Sequence, residues 1–486
     1  MTMRRTTPLL NATLLAATCL VGTPTLSAQL RMPEVSTSER NTVRIINDRI
    51  TDFYANKKLM GLNQYAPDGT LLKENAGGDK LKFDYVPGLV AKAIIEAADY
   101  YQQEDFAKSW FYSVEDYANR YFDGVPRVGK SLDDLNATKM YFALYDLTDP
   151  EKGAFRDIAD PKTHANAKLA MESALEGLKD TKANYVITPD VSQEAAGGWW
   201  HKGTYPYQMW CDGQYMGPAL LAQLVHYGYT IDGAEEDWKT ITRQFDITWS
   251  KLWDSERRLL WHAFSADPTG EKAKGWADPE TGRSQEYWGR ACGWYFMALI
   301  DVLELMPEGI ELRATQPGLE GESTDCRTRL YHYFNMLAEG LAARQDAATG
   351  CWYQLLAHDG TFTATEYQGQ SYAPVSNYLE SSASCLFTAG YLKGMRLGLL
   401  PDSYRPLAER AYRGVCEQFI REREDGTWTL INDCASAGLG GASWGVRDGS
   451  AAYYLLGSDV TRITDYTEGK VYGAFILAAT EWERGR

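Results

Sequence analysis

Clustered lysine and arginine are missing from this 486-residue chain, whose 49 basic and 65 acidic residues give a formal net charge of −16. Phosphate backbones are held by concentrated positive charge, so a nucleic-acid partner is excluded. Beyond the N-terminal stretch no apolar run is long enough to span a bilayer, which excludes a membrane span. Alternating β-branched runs between helical segments are absent, against a doubly wound or TIM-type sheet. No fixed-period repeat is visible, against a solenoid. Cysteine is sparse: apart from Cys19 in the N-terminal stretch, Cys211, Cys292, Cys326, Cys351, Cys385, Cys416 and Cys434 show neither CxxC nor His/Cys spacing. Neither a zinc site nor a dense disulfide framework is implied, and buried free thiols are the favoured reading.

Apolar and aromatic mass is plentiful. Hydrophobic residues make up 44% of the chain, ample for a large core, and there are 15 Trp and 31 Tyr. Most of these rings belong to the core; those that do not commonly stack on flat or ring-shaped ligands. The first 28 residues read as an export signal, with Arg4 and Arg5, an apolar stretch from Pro8 to Val21, and Leu26-Ser27-Ala28 before Gln29. The expected protein is therefore exported and periplasmic, with residues 29–486 as a single catalytic domain. Export would also permit a disulfide or two.

The apolar period is near 3.6 along most of the chain. Val43, Ile46, Ile50 and Phe53 share one helix face, and Phe106, Trp110, Val114, Tyr117 and Tyr121 another. Further helices are expected over 87–101, 134–146, 164–179, 213–228, 239–253, 290–305, 328–345, 379–397, 403–421 and 467–484. A short, peripheral extended piece is expected at Thr427–Ile431, and the most loop-like segments are Asp267–Gly282 and Pro307–Asp325. Such a set of helices can close as a ring of hairpins whose loops converge on one end. The polar clusters do sit just before helices.

Four clusters carry chemistry. The stretch Gly197–Met216 places Asp212 among six aromatics, with His201, Lys202 and Trp210 in the same loop. An isolated Asp before the apolar run Met216–Leu221 would be a routine N-cap; its company points beyond a cap. Asp133 and Asp134 form an acid pair in which at least one caps a helix, and a second carboxylate matters because hydrolysis commonly divides proton donation and water activation between two acids. Trp288-Gly289-Arg290 through Trp294 sets a guanidinium between two indoles, which suits a ring-shaped ligand bearing an acid group, or a loop cap. Tyr378–Ser384 gathers hydroxyls at a helix start, a place to hold an anion or an ordinary Ser-rich N-terminus.

Together WHKGTYPYQMWCDGQYM, LDDLN, WGRACGW and YLESSAS resemble the motifs of glycoside hydrolase family 105, the unsaturated rhamnogalacturonyl hydrolases, with the unsaturated glucuronyl hydrolases of family 88 as close cousins. The match runs in order from about Phe83 to the C-terminus. It implies an all-α fold, an (α/α)6 barrel of six helical hairpins. It also implies that the substrate is an oligosaccharide ending in a 4-deoxy-4-enuronosyl residue left by a polysaccharide lyase. In this chemistry an acid protonates the C4=C5 double bond, water adds at C5, and the hemiketal opens to release the neighbouring sugar.

The resemblance makes Asp212 the acid/base and Asp133 the second acid, with Asp134 a rival for that role. It assigns His201, Lys202 and Trp210 to the loop around the acid, and Trp288, Arg290 and Trp294 to an aromatic-and-Arg wall. His262 corresponds to a substrate-site histidine or to a structural one, Tyr85 lines the pocket from the first hairpin, and Ser381 and Ser384 resemble hydroxyls that hold the uronate carboxylate in the cousin family. No metal or organic cofactor is implied. Two other readings share these residues: a polysaccharide lyase or sugar epimerase on the same barrel, and a non-catalytic glycan-binding protein whose acids merely cap helices.

Overall fold

The computed structural model describes residues 62–74, 83–422, 424, 428–442, 445–464 and 469–485. The export signal over residues 1–28 and the helix face Val43–Phe53 lie outside the described residues.

Fourteen α-helices are found among the described residues. The chain runs through α1 (Tyr85–Tyr100), α2 (Asp105–Arg120), α3 (Leu132–Asn136), α4 (Met140–Leu147) and α5 (Thr163–Asn184). It continues through α6 (Cys211–Met216), α7 (Pro218–His226), α8 (Ala234–Leu252), α9 (Gly289–Leu305) and α10 (Cys326–Ala342). It ends with α11 (Ser381–Arg396), α12 (Arg405–Phe419), α13 (Ala451–Leu456) and α14 (Gly469–Arg484). In the inner ring α1 packs on α4, α3 on α6, α6 and α7 on α9, and α9 on α11; α14 packs on both α11 and α1 and closes the circle. Outside it, α2, α5, α8, α10 and α12 each pack on the inner helix that precedes them. This is the (α/α)6 barrel.

The sequence explains the two layers. Inner helices are enclosed on all sides, so α9 is buried continuously from Gly289 to Leu303. Outer helices are one-sided: α2 turns Trp110, Val114 and Tyr117 inward. Two expected inner helices are interrupted. Residues 213–228 break at Gly217, because Pro218 opens α7 at the position where a missing N–H costs nothing. Residues 134–146 divide into α3, a 3-10 turn over Ala137–Lys139, and α4.

Strands are short and paired in twos. The expected extended piece forms Trp428–Leu430, paired with Ile420–Glu422; Trp428 and Leu430 are buried, so it is not peripheral as expected, and Thr427 lies outside the described residues. A hairpin of Thr363–Tyr367 and Gln370–Ser376 was not foreseen, because its polar, mostly exposed strands carry no strong alternation. The seven cysteines from Cys211 to Cys434 are free and buried, as favoured. Trp249, Trp352 and Tyr333 are core rings.

All inner helices point the same way. Their C-terminal halves surround a 300 Å³ cavity lined by Glu96, Asp301, Glu304 and Lys393, among others. The starts of α1, α3, α6 and α9 surround a second cavity of 190 Å³ at the opposite end.

Candidate active site

The second cavity gathers nine of the twelve residues singled out from the sequence: Tyr85, Asp133, His201, Lys202, Trp210, Asp212, Trp288, Arg290 and Trp294. Backbone pairing brings them there. Lys202 bridges Ser131 antiparallel, Leu132 N donates to His201 O at 3.2 Å, and Gly203 N donates to Lys130 O at 2.7 Å, so the 201–203 loop lies along the start of α3. Strand Gln208–Trp210 pairs with Ala263–Ser265, with Trp210 opposite Ala263, and Cys211 N donates to His262 O at 3.1 Å. That pairing sets His262 beside Asp212.

Ser131 is the N-cap of α3 and accepts from Asp134 N, which releases Asp133 from capping. Asp133 is 7% exposed and lines the cavity; Asp134 faces solvent. Lys202 Nζ reaches Asp133 Oδ2 at 2.5 Å and His201 Nε2 reaches Oδ1 at 3.3 Å. Burial disfavours the Lys202 cation but Asp133 outweighs it, so the ammonium is held above its usual range. At His201 burial wins over Asp133 and the imidazole is held below its usual range.

Asp212 is not a cap. Trp210 is the N-cap of α6 and makes no side-chain capping bond, while Asp212 sits one residue inside the helix. Its Oδ2 is buried without a hydrogen-bond partner, and His262 Nε2 stands 3.4 Å away, a distance for an electrostatic contact rather than a well-formed bond. Burial pushes the carboxyl up, yet His262 and His201 outweigh it and hold Asp212 below the usual carboxylate range. His262 Nδ1 meets Tyr454 Oη at 2.6 Å. Burial keeps that phenol well above its usual range, hence protonated. A phenol donating to Nδ1 leaves the ring proton on Nε2, facing Asp212.

Flat rings wall the acid. His201, Trp210 and Tyr205 form one stack, with centroids 5.0 and 5.3 Å apart and planes within 9° and 5°. Tyr207, with φ of 63°, takes the left-handed conformation unusual for a bulky residue and turns the loop back toward Trp210. A Cβ on Gly213 would come within 3.2 Å of His201 Nδ1, so glycine lets α6 approach the imidazole closely.

Three expected residues stand elsewhere. His262 is fully buried behind Asp212 and does not line the cavity; it acts on the acid, not on the ligand surface. Ser381 and Ser384 are likewise fully buried and off the cavity. The anion at the start of α11 is the protein's own: Glu380 accepts from Ser382 N, Ala383 N and Cys434 N. Ser384 Oγ is taken by Trp352 N at 3.0 Å. Arg290 is similarly engaged, its Nη1 donating to Asp433 Oδ1 at 3.1 Å, Cys434 O at 2.6 Å and Ser382 Oγ at 3.2 Å, with Glu380 3.9 Å away. Its guanidinium lies 4.5 Å over the Trp288 ring. The carboxylate that its fork suggested is thus already supplied from within.

The comparisons fit this geometry. The family model described as Glycosyl Hydrolase Family 88 matches residues 165–485. This chain belongs to that family. A family 105 glycoside hydrolase from C. acetobutylicum is 30% identical and superposes with a TM-score of 0.60, covering 83% of this chain and 94% of its own. A possible family 105 member from Salmonella enterica, 19% identical, gives a TM-score of 0.58 over 93% of this chain and 96% of its own. An unsaturated glucuronyl hydrolase from Streptococcus agalactiae shares the fold at 13% identity, with a TM-score of 0.52 over 93% of this chain and 94% of its own. The 24.9 kDa protein in the picA locus of Rhizobium radiobacter is 33% identical over 184 residues; the match spans 37% of this chain and 66% of that relative's length.

Within the family 88 frame, sequence reasoning missed Tyr205, Met216, Ser436, Ala437, Gly438 and Arg447, which also line the cavity. Tyr205 and Met216 stand inside the stretch that drew attention to Asp212. Ser436–Gly438 and Arg447, and Tyr454 behind His262, come from the far end of the chain and had only a Gly- and Ser-rich composition to mark them. No group of acidic, His and Cys side chains suited to a metal occurs among the described residues. No helix among them is long and apolar enough to cross a membrane.

Proposed function

We propose that this protein removes the terminal 4-deoxy-4-enuronosyl residue from oligosaccharides produced by polysaccharide lyases. The observation that carries the reading is the partnerless Oδ2 of Asp212, buried at the wall of a ring-lined cavity and not used as a cap. The cavity is small, 190 Å³ against roughly 300–1,000 Å³ for typical ligand pockets, which suits one terminal ring rather than a polymer groove.

Asp212 gives a proton to C4 of the C4=C5 bond, and cationic character develops at C5 and the ring oxygen. Water adds at C5 and returns its proton to Asp212, so one group acts as acid and then base. The C5 hemiketal opens by breaking C5–O5, C1 becomes a hemiacetal, and the neighbouring sugar leaves. The free protein holds Asp212 as a carboxylate; an anionic substrate brought beside it raises its proton affinity as the like charges approach. Asp133, fixed by Lys202 and His201, orients substrate or water. The stacked rings of His201, Trp210 and Tyr205 pack the flat unsaturated ring and limit stray water.

The experiment is incubation with lyase-digested pectin and, separately, with unsaturated glucuronides, following the enoate ultraviolet absorbance. Loss of absorbance with release of sugar is expected for one of these classes, and the faster class names the uronide. No loss with either would contradict the proposal.

A further inference from the structure

We infer that Arg447 is the residue that reads the substrate's negative charge, a role that rests on the reaction proposed above. A uronyl substrate brings a carboxylate into a cavity already walled by Asp133 and Asp212, and like charges at close range repel. The cavity therefore needs a cation whose N–H groups are not already donating to a carboxylate. Among the described lining residues the cations are Lys202, Arg290 and Arg447. Lys202 is paired with Asp133 at 2.5 Å. Arg290 faces two buried carboxylates, Asp433 at 3.1 Å and Glu380 at 3.9 Å.

Arg447 differs from both. Its Nε and Nη2 donate to neutral carbonyls, Gly440 O at 3.1 Å and Leu439 O at 3.2 Å, which fix the plane of the guanidinium without cancelling its charge. Asp459 forms an ion pair with it at 3.7 Å from Nη1, outside hydrogen-bond distance, and accepts from the Tyr453 hydroxyl at 3.1 Å. Gly438 makes room for the group: a Cβ there would fall 2.0 Å from Nη1, so the guanidinium lies on bare backbone. That backbone is braced, since Gly438 N donates to Tyr453 Oη at 2.8 Å. The Arg447 side chain is 12% exposed, so a carboxylate reaching it from the cavity would meet a held, partly desolvated fork, the setting in which charge-assisted bidentate bonds are strong.

The test compares one unsaturated uronyl disaccharide as the free acid and as its methyl ester, with wild type, Arg447→Gln and Arg447→Lys. Any intrinsic difference in double-bond reactivity between acid and ester is common to all three proteins and cancels in the comparison. Wild type should prefer the acid. Arg447→Gln should lose roughly ten- to a hundred-fold in kcat/KM on the acid, mostly through KM, and little on the ester, so the preference collapses. Arg447→Lys should keep part of it, which preserves the test where the Gln variant fails to fold. Equal losses on acid and ester, or an unchanged rate on the acid, would overturn the assignment alone. A wild type inactive on both forms would overturn the functional reading and this assignment with it.

Discussion

Nε2 of His262 stands 3.4 Å from Oδ2 of Asp212, and the opposite nitrogen of the same ring is fixed at 2.6 Å by Tyr454. The contact runs between a fully buried imidazole and a carboxylate that burial alone would push up. His262, with help from His201, holds it down.

This relationship fixes the pH profile. With Asp212 held below the usual carboxylate range and needed in its acid form, kcat/KM should fall as pH rises through the Asp212 pKa, giving an acidic optimum. His262→Gln removes the first of the two groups that lower that pKa. The carboxyl then rises and the alkaline limb moves to higher pH. Tyr454→Phe frees the His262 tautomer and should cost roughly two- to ten-fold in kcat, the scale of one hydrogen bond. A limb that stays in place in His262→Gln would show that another group sets it.

Asp212→Asn keeps the shape of the side chain and loses the transferable proton. Turnover should fall by about 10²–10⁴-fold or more, with substrate binding and thermal midpoint close to wild type. The check is kcat alongside calorimetric titration with substrate; near-wild-type kcat would remove Asp212 from the mechanism.

The adjacent acids should separate cleanly. Asp133, held by Lys202 and His201 on the cavity wall, should lose at least about tenfold in kcat/KM as Asp133→Asn, the value of one hydrogen bond to a charged group. Asp134, exposed and off the cavity, should tolerate Asp134→Asn with little change. The reverse order would exchange their roles.

Arg290 holds the fold as well as the wall. Arg290→Met removes the guanidinium that donates to the buried Asp433 and stands beside the buried Glu380, at a cost of about 3–5 kcal/mol, so the thermal midpoint should drop clearly. An unchanged midpoint with lost catalysis would place Arg290 on the substrate side only.

The sequence made the helices and the cavity legible for different reasons. The 3.6-residue apolar period marked α1, α9, α11 and α14 closely, because enclosed helices must be apolar wherever they touch neighbours. Asp212, Trp210, His201 and Lys202 stood out because rings and charges were spent together in one loop. Ser381 and Ser384 misled, since a serine-rich helix start looks the same whether it awaits a ligand's carboxylate or already holds Glu380. Arg447 and Tyr454 were invisible because their roles depend on closure of the ring, which brings the chain's end across to α3 and α6. Glu380 and Asp433, which absorb the Arg290 charge, depend on the same long-range approach.

The most direct measurement pairs an unsaturated uronyl disaccharide with its saturated counterpart under identical conditions. It follows enoate absorbance and released sugar together. The account predicts that absorbance is lost in step with sugar release on the unsaturated compound, and that the saturated one, with no C4=C5 bond to protonate, is left intact. Comparable release from the saturated disaccharide, or release that leaves the enoate absorbance unchanged, would contradict hydration of the double bond and point to ordinary glycoside hydrolysis.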